Sequence, residues 1–392
     1  MKYLNYTLIP VILFVIQFSC QQKTNGDNSL RTERNMEARE DSTKLATAYE
    51  SQSKIPHTVV PLIQTDPVQE DANEDAADDP AIWYNNPMPD QSLVFGTNKK
   101  SGVHAYGLDG GNREFYAFGK INNIDIRQQV KVTGHPLDIL GGSNRTDNSI
   151  IIHGIDSIGN LYDLMDGNFL IDTADIDEVY GFCMYKDTDG NGYAIVNGKN
   201  GKINQYLIVA DGNAVTLQLV KSWQLDSQPE GMVADDQLGH LYIGEEEQGI
   251  WKLSLSDEDS QVVLLQDAQK ENNPSIEYDI EGLSIYYDAG SSGFLLASIQ
   301  GSFSYAVFDR QHNHYLGSFK IGEGRGIDGV EETDGLDIYS SAIGEQFPNG
   351  LLVVQDGFNY NDSIMVGQNF KYVALDEIIS LVGLMRKQTL QN

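Results

Sequence analysis

The chain repeats one type of segment six times, at intervals of roughly 50 residues, and this period restricts the folds it can adopt. Each copy starts with acidic or small residues and continues into a short apolar run typical of a β-strand. The copies are DDPAIWY (78–84), GHPLDIL (134–140), DEVYGFCMY (177–185), QPEGMVAD (228–235), DIEGLSIYY (279–287) and ETDGLDIYS (332–340). After five of the six comes another apolar run, a Gly-containing turn and an alternating strand, which is a hairpin pattern.

This pattern predicts an all-β fold, a six-bladed β-propeller, with one sheet for each copy. No helical segment separates the copies, which makes a βαβ barrel unlikely. A β-sandwich would not explain the period.

The first 20 residues have the features of an export signal. Lys2 precedes the apolar run 8–18, which is too short to favour a transmembrane helix, and Cys20 lies where cleavage would fall. We predict a lipoprotein-type signal peptide at 1–20 with lipidation at Cys20; an ordinary signal peptide with a chance cysteine is the alternative.

The polar residues 21–58 are predicted to be a disordered linker, and 59–388 to form the propeller. The protein is thus expected to be exported, as a cell-envelope lipoprotein at the outer membrane or periplasmic face or as a secreted protein. Its only expected membrane contact is the lipid anchor.

The net charge of −31 argues against a nucleic-acid partner, because a phosphate backbone requires a basic binding face. The same charge favours a protein that collects cations. In a propeller the first strand of each sheet lines the central channel, so the loops leading into these strands meet at one face. The acids at these points are Asp75, Asp78, Asp79, Asp177, Glu178, Glu230, Glu277, Asp279, Glu281, Asp328, Glu331, Glu332 and Asp334. The turns after the second strands add Glu245, Glu246, Glu247, Gln300, Gln355 and Asp356.

Oxygen ligands in this number suit Ca²⁺, which takes six to eight of them. Zinc is disfavoured because the seven histidines are dispersed without metal-ligand spacing. Ordinary solvated loop charge is the alternative. Basic residues occur beside the acids at matching points, namely Lys99, Lys100, Arg145 and Lys199. Lysine and arginine bind phosphate oxygens directly, so these cations predict a polyanion site; isolated turn lysines are the simpler reading of any one of them.

At this level of detail the chain resembles the β-propeller phytases. The similarity begins at DAADDPAIW (75–83) and extends in colinear order over about residues 60–385. It includes TNKKSG (97–102), INNIDIR (121–127), SNR (143–145), IDEVYGF (176–182), GKNGK (198–202), SQPEGMVADD (227–236), YIGEEEQGIWK (242–252), LLASIQG (295–301), TDGLDI (333–338), VVQDG (353–357) and GQNFK (367–371). The chain departs from the family at Phe358, where relatives have an acid after QDG, and within 324–335.

The resemblance implies a role for each matching residue. Lys99, Arg145 and Glu230 would be catalytic, the first two by holding the phosphate that is cleaved. Lys100, Tyr180 and Lys199 would bind substrate, the latter two at a neighbouring phosphate. The implied active-site calcium ligands are Asp78, Glu230, Glu246, Asp279, Glu281 and Gln300. Structural calcium would be held by Asp79, Asp328 and Asp356.

The expected activity is calcium-dependent hydrolysis of phosphomonoesters of myo-inositol hexakisphosphate, taken as its calcium complex, by attack of a metal-activated water. Several Ca²⁺ ions are implied, and a monomer is expected. Two alternatives come from other classes. A lactonase-like calcium propeller would share the acids but would not need Lys99, Arg145 and Lys199 together. A non-catalytic propeller that binds surface ligands is the other alternative. Neither the RHG motif of histidine phosphatases nor an arginine at the spacing that cysteine phosphatases require after Cys183 is present.

Overall fold

A computed structural model describes residues 42–389 except 69–71, 73, 133, 258 and 259. The predicted signal peptide, Cys20 and the first part of the predicted linker lie outside the described residues. Two short strands, β1 (His57–Val59) and β2 (Ile63–Gln64), precede the blades. Two helices are described, α1 (residues 42–54) and α2 (Leu375–Thr389). Among the described residues, no helix is both long enough and apolar enough to span a bilayer.

Six antiparallel sheets follow along this part of the chain, one for each blade. Blade 1 consists of β3 (Ala77–Trp83), β4 (Leu93–Asn98), β5 (Gly102–Gly107) and β6 (Asn112–Tyr116). Blade 2 consists of β7 (Ile121–Lys131), β8 (Pro136–Asn144), β9 (Ser149–Ile155), β10 (Leu161–Asp163) and β11 (Phe169–Leu170). Blade 3 consists of β12 (Val179–Lys186), β13 (Gly192–Gly198), β14 (Lys202–Asp211) and β15 (Ala214–Gln224).

The second half of the chain is built in the same way. Blade 4 consists of β16 (Pro229–Asp235), β17 (His240–Glu245), β18 (Gly249–Ser254) and β19 (Val263–Leu264). Blade 5 consists of β20 (Ile280–Tyr287), β21 (Gly293–Ile299), β22 (Ser304–Asp309) and β23 (Tyr315–Ile321). Blade 6 consists of β24 (Leu336–Tyr339), β25 (Leu351–Asp356) and β28 (Asn369–Ala374), with the small hairpin β26 (Tyr360–Asn361) and β27 (Ile364–Met365) between the last two. The prediction of a six-bladed β-propeller is confirmed.

The first strands of the blades are neighbours in the cyclic order β3, β7, β12, β16, β20 and β24, and β24 contacts β3 again. The N-terminal strand β2 closes the ring, because it pairs antiparallel with β28 and becomes the outer strand of blade 6. Apolar clusters fill the spaces between adjacent blades, as with Cys183, Ile195 and Leu241 between blades 3 and 4. The blades therefore pack around one axis, and the six innermost strands all start at the same end of the ring.

Two predictions about chain organisation need correction. The second copy of the repeat was placed at 134–140, but these residues lie at the start of β8, the second strand of blade 2. The innermost strand of blade 2 is β7. Its many polar residues obscure the alternation of apolar residues by which a strand is recognised. The predicted linker 21–58 is ordered at its end, because residues 42–54 form a helix and β1 pairs in parallel with β23. In that helix Tyr49 donates to Glu331 (2.7 Å) and Gln52 to the carbonyl of Phe303 (3.2 Å), so polar contacts fix a segment whose composition resembles a linker.

Candidate active site

The innermost strands share an irregularity near their starts that positions the side chains of the site. In blades 1 to 5 the pairing of the first strand with the second shifts register near its start, which is a β-bulge. Bulges turn a side chain out of the regular alternation and are common beside active sites. The polar residues at these points, with the residue two positions before β24 in blade 6, are Asp78, Asn122, Tyr180, Glu230, Glu281 and Asp334. Six blades thus each supply one polar side chain at the same end of the channel.

Glycine follows four of these six residues and lets the innermost strands of neighbouring blades approach closely. A Cβ atom on Gly181 would lie 1.8 Å from the carbonyl oxygen of Glu230, and one on Gly231 would lie 2.0 Å from that of Glu281. Both distances are far below van der Waals contact, so a side chain at either position would push two innermost strands apart. The pattern of a polar residue followed by glycine therefore has a steric cause.

A cavity of about 440 Å³ opens over this ring of side chains. Its lining includes Lys99, Tyr180, Glu230, Glu281, Gln300, Asp334 and, on an apolar side, Phe358 and Met365. A larger cavity, of about 580 Å³, lies further along the channel and is lined by Asp79, Asp125, Arg127, Asp236 and Asp337. Of these two cavities, only the smaller is lined by a predicted cation, Lys99, and Arg145 and Lys199 adjoin it through the ring of Tyr180. We therefore take the smaller cavity as the candidate site.

The carboxylates at the ring are held close together. A hydrogen bond and charge repulsion couple Glu281 to Glu230, and burial, reinforced by this neighbour, raises the pKa of Glu281 well above its usual value. Burial also raises the pKa of Asp78 to about 7, although Lys99 opposes the shift. The pKa of Glu246 rises to about 7 mainly through burial, with Glu230 and Asp279 adding repulsion. These shifts identify a group of buried acids whose desolvation and mutual repulsion the nearby Lys99 does not offset.

Lys99 lies at the centre of one half of the site. Its ammonium is 2.9 Å from Asp75, 3.3 Å from Asp78 and 3.5 Å from Asp334. Burial alone would lower the pKa of Lys99, but the charges of these carboxylates outweigh it and raise the pKa. Gln300 donates to Asp334 (2.6 Å), which places the amide in the same group. Lys100 lies at the rim, paired with Glu74.

Arg145 and Lys199 form the other half around Tyr180. The Arg145 guanidinium carbon lies 5.7 Å from the Tyr180 ring centre, and the Lys199 ammonium lies 4.9 Å from it. Both cations pair with Glu178, Arg145 through Nε and Nη2 (2.6 and 2.5 Å) and Lys199 at 3.6 Å. Burial opposes ionisation of Glu178, but its bonds to Arg145 and the charge of Lys199 lower the pKa of this carboxyl. Asn122 links this group to the acids, because it accepts from Arg145 (3.2 Å) and donates to Glu230 (3.4 Å).

The donor set at the ring consists of carboxylate and amide oxygens, which are the ligands that Ca²⁺ prefers. Within the described residues no three His, Cys, Asp or Glu side chains stand at metal-binding distance as they are. Ligation would therefore require side-chain movement. The raised pKa values of Asp78, Glu246 and Glu281 show that added positive charge would stabilise their ionised forms. The residues present thus fit a calcium site by chemistry and charge.

Comparison with known proteins gives a consistent picture. A family model described as Phytase matches residues 35–389. The 3-phytase of Bacillus subtilis (strain 168) is 42% identical over 331 residues, which cover 82% of this chain and 85% of that protein. The chain belongs to the phytase family. Solved structures with partial similarity include BBS1N in its complex with ARL6DN, at 12% identity and a TM-score of 0.45 over 75% of this chain and 78% of that one. The WD40 domain of SCAP from fission yeast is 12% identical, with a TM-score of 0.40 over 74% and 61% of the two chains.

Most of the residues for which the phytase resemblance implies a role are brought together here. Asp78 pairs with Lys99, and Lys100 lies at the rim. The others lie in the two groups just described or border them, namely Lys99, Arg145, Tyr180, Lys199, Glu230, Glu246, Asp279, Glu281 and Gln300. Three others lie elsewhere. Asp79 faces down the channel and accepts from the backbone nitrogen of Ile124 (3.0 Å), whereas Asp328 and Asp356 lie around the ammonium of Lys371.

Some residues of the site were not assigned a role from the sequence. Asn122 was missed because the second repeat was aligned one strand too late, although INNIDIR carries the same position as the other bulges. Asp334 and Glu178 were noted as acids of the ring, but their pairing with Lys99 and Arg145 depends on contacts between blades. Phe358, noted only as a departure from the family, forms part of the cavity wall.

Proposed function

We propose that this member of the phytase family hydrolyses phosphomonoester groups of phytate, bound as its calcium complex, and releases inorganic phosphate and lower inositol phosphates. The observation that carries the proposal is that Lys99 lines a cavity together with buried acids, while Arg145 and Lys199 adjoin the same cavity through the ring of Tyr180. Its relative in Bacillus subtilis bears the name 3-phytase.

Calcium would be held by Asp78, Glu230, Glu246, Asp279, Glu281 and Gln300. When bound, it supplies the positive charge that an anionic substrate requires and favours ionisation of an attacking water. Without it, a polyphosphate would meet a ring of negative charge, which is repulsive by Coulomb's law. Asp79 would hold a further, structural ion in the channel.

The chain's own cations would bind the phosphates. Arg145 already presents Nε and Nη2 together to one carboxylate oxygen, Oε1 of Glu178. The same fork of donors could contact two oxygens of a phosphate. Glu178 is partly exposed and can turn aside when the substrate arrives. Lys99 would contact the same phosphate as Arg145, Lys199 and Tyr180 would hold a neighbouring one, and Lys100 would bind substrate at the rim. Charge that develops on the transferring group would strengthen the contacts of Lys99 and Arg145, and this differential binding lowers the barrier.

Glu230 lies between the two halves of the site, since it contacts both Asn122 and Glu281. In this position it would orient the attacking water toward the phosphorus held by Lys99 and Arg145. Direct transfer to water requires no covalent intermediate on the protein.

The decisive experiment measures phosphate release from calcium-phytate by the purified protein, with and without chelator. We expect release that depends on Ca²⁺. The Arg145→Ala variant should lose turnover with little change in melting temperature, while Arg113→Ala, which removes an exposed arginine paired with Asp109 on blade 1, should leave both unchanged. Absence of phosphate release in Ca²⁺, together with hydrolysis of a lactone, would favour the lactonase-like alternative; absence of both would favour a binding role.

We further propose that the protein is exported, anchored through a lipid on Cys20, and monomeric. Mass spectrometry of the N-terminal peptide tests the anchor, because Cys20→Ala should abolish the lipid-modified mass. Light scattering tests the oligomeric state.

A further inference from the structure

A lysine ammonium, rather than a metal ion, occupies the centre of the Lys371 cluster, which also contains Gln64, Asp328, Asp356 and Asn359. The Lys371 side chain, from β28, is fully buried. Its ammonium lies 2.5 Å from Asp328, 2.7 Å from Gln64, 3.1 Å from Asn359 and 3.1 Å from Asp356. Asp328 and Asp356 are two of the three carboxylates that the family resemblance assigns to structural calcium, and their inward-facing oxygens already lie around a cation.

The remaining oxygens of both carboxylates are also engaged. Asp328 accepts from the backbone nitrogen of Tyr360 (2.6 Å), and Asp356 accepts from that of Glu331 (3.1 Å). The side-chain amide of Asn359 donates to the carbonyl of Gly367 (2.8 Å), which fixes its oxygen toward the ammonium. A Ca²⁺ ion needs six to eight oxygens, and placing it here would bring a second cation beside a buried ammonium. The residues present therefore do not fit a calcium ion at this place.

The position of the cluster gives it a structural role. Gln64 and Lys371 are paired residues of β2 and β28, the two strands that close the ring. Asp356 ends β25, and the chain then runs through Phe358, which lines the candidate site, to Asn359. One ammonium thus joins the N-terminal strand, blade 6 and the loop that carries Phe358.

We propose that the Lys371 ammonium is the resident cation of this cluster, and that Asp328 and Asp356 hold it in place of structural calcium. Closure of the propeller is then independent of Ca²⁺ at this point. The calcium of the proposed function would bind at the catalytic ring, which is a different site. Measurements of stability and of ion position, rather than of activity, therefore distinguish the two proposals.

The test compares melting temperatures in Ca²⁺ and in chelator. Asp328→Asn should lower the melting temperature by the same amount in both conditions, because no ion is lost. Lys371→Met should lower it in chelator and recover part of the loss in Ca²⁺, since removal of the ammonium frees the oxygens for a metal. That recovery should vanish in the double variant Lys371→Met/Asp328→Asn. Lys131→Met is the control and should match the unmodified protein, because the Lys131 ammonium donates to the carbonyl of Asp189 at an exposed position.

An Asp328→Asn penalty that appears only in Ca²⁺ would overturn the proposal, as would a Lys371→Met protein with unchanged stability. A second measurement holds even if a variant fails to fold. Anomalous diffraction from crystals of the unmodified protein grown in Ca²⁺ should show no peak bound to both Asp328 and Asp356, and a peak there would refute the assignment.

Discussion

Replacing Gly231 by alanine tests whether the close approach of neighbouring bulges builds the site. Gly231 follows Glu230 in the bulge of β16, and a Cβ atom there would lie 2.0 Å from the carbonyl oxygen of Glu281 and 3.0 Å from the Cα atom of Gly282. Both are backbone atoms of β20, so no flexible side chain can move out of the way.

The size of the effect follows from these distances. Ordinary contact starts near 3.4 Å, so β16 and β20 would have to separate by roughly 1.4 Å, the difference from 2.0 Å. Overpacking of this kind costs about 1–3 kcal/mol of stability. Glu230 and Glu281 would be displaced along with the strands, and a misplacement of about 1 Å at a catalytic centre lowers rates by about 100-fold. We therefore expect a folded protein with a large loss of activity.

The assay combines phosphate release from calcium-phytate with thermal unfolding followed by circular dichroism. Gly383→Ala is the matched control, because Gly383 lies in helix α2 and an added Cβ would meet no atom within 4 Å. This variant should gain about 0.5–1 kcal/mol in stability and keep full activity. A Gly231→Ala protein with normal turnover would refute the reasoning, as would a loss of turnover that matches the unfolded fraction at the assay temperature.

Three further predictions concern charge. Glu178→Gln removes the carboxylate that pairs with Arg145 and Lys199, so KM for phytate should fall several-fold in steady-state assays; a higher KM would contradict a competing role for Glu178. Burial raises the pKa of Asp78 and Glu246 to about 7, so the folded protein keeps protons that the unfolded chain releases near pH 4. The melting temperature in chelator should therefore fall as pH rises from about 4 to about 7, and Ca²⁺ should offset the fall; a rise over this interval would be inconsistent with it. Arg310→Met leaves Asp235 buried without its partner at 2.7 Å and should cost about 3–5 kcal/mol in urea unfolding, so a cost below about 1 kcal/mol would disprove the pairing.

The blade count could be predicted because each blade repeats the same apolar run after the same polar start. The bulges could not, since an extra residue in a strand leaves no mark in hydrophobic alternation. In blade 2 the misalignment by one strand follows directly, because Asn122 and Asn123 lie where apolar residues were expected. Helix α1 escaped prediction because its surface is polar and its order depends on partners such as Glu331, far away in sequence.

Within the site, the sequence predicted residue types better than it predicted pairings. The cations Lys99 and Arg145 were assigned to phosphate, but two of the acids that pair with them in the folded chain, Asp334 with Lys99 and Glu178 with Arg145, come from other blades. The same limit applies to Lys371, which stands in the matched motif GQNFK without any sign that Asp328 and Asp356 surround it. Contacts between blades depend on ring geometry, and a single sequence does not encode that geometry locally.

The ring geometry also makes the site depend on closure of the whole fold. Asp78 comes from the first blade and Asp334 from the last, yet both lie within 3.5 Å of the Lys99 ammonium. This contact can form only when β24 and β3 are adjacent, and the sheet of blade 6 is completed by β2 from the N-terminal segment. Without β2, the edge of β28 would be unpaired and the partners of Lys371 would be incomplete. The proposed contacts of Lys371 would join β2 to blade 6, and so close the propeller, before calcium binds. The mutually repelling acids of the site would then already lie close together when the ions bind.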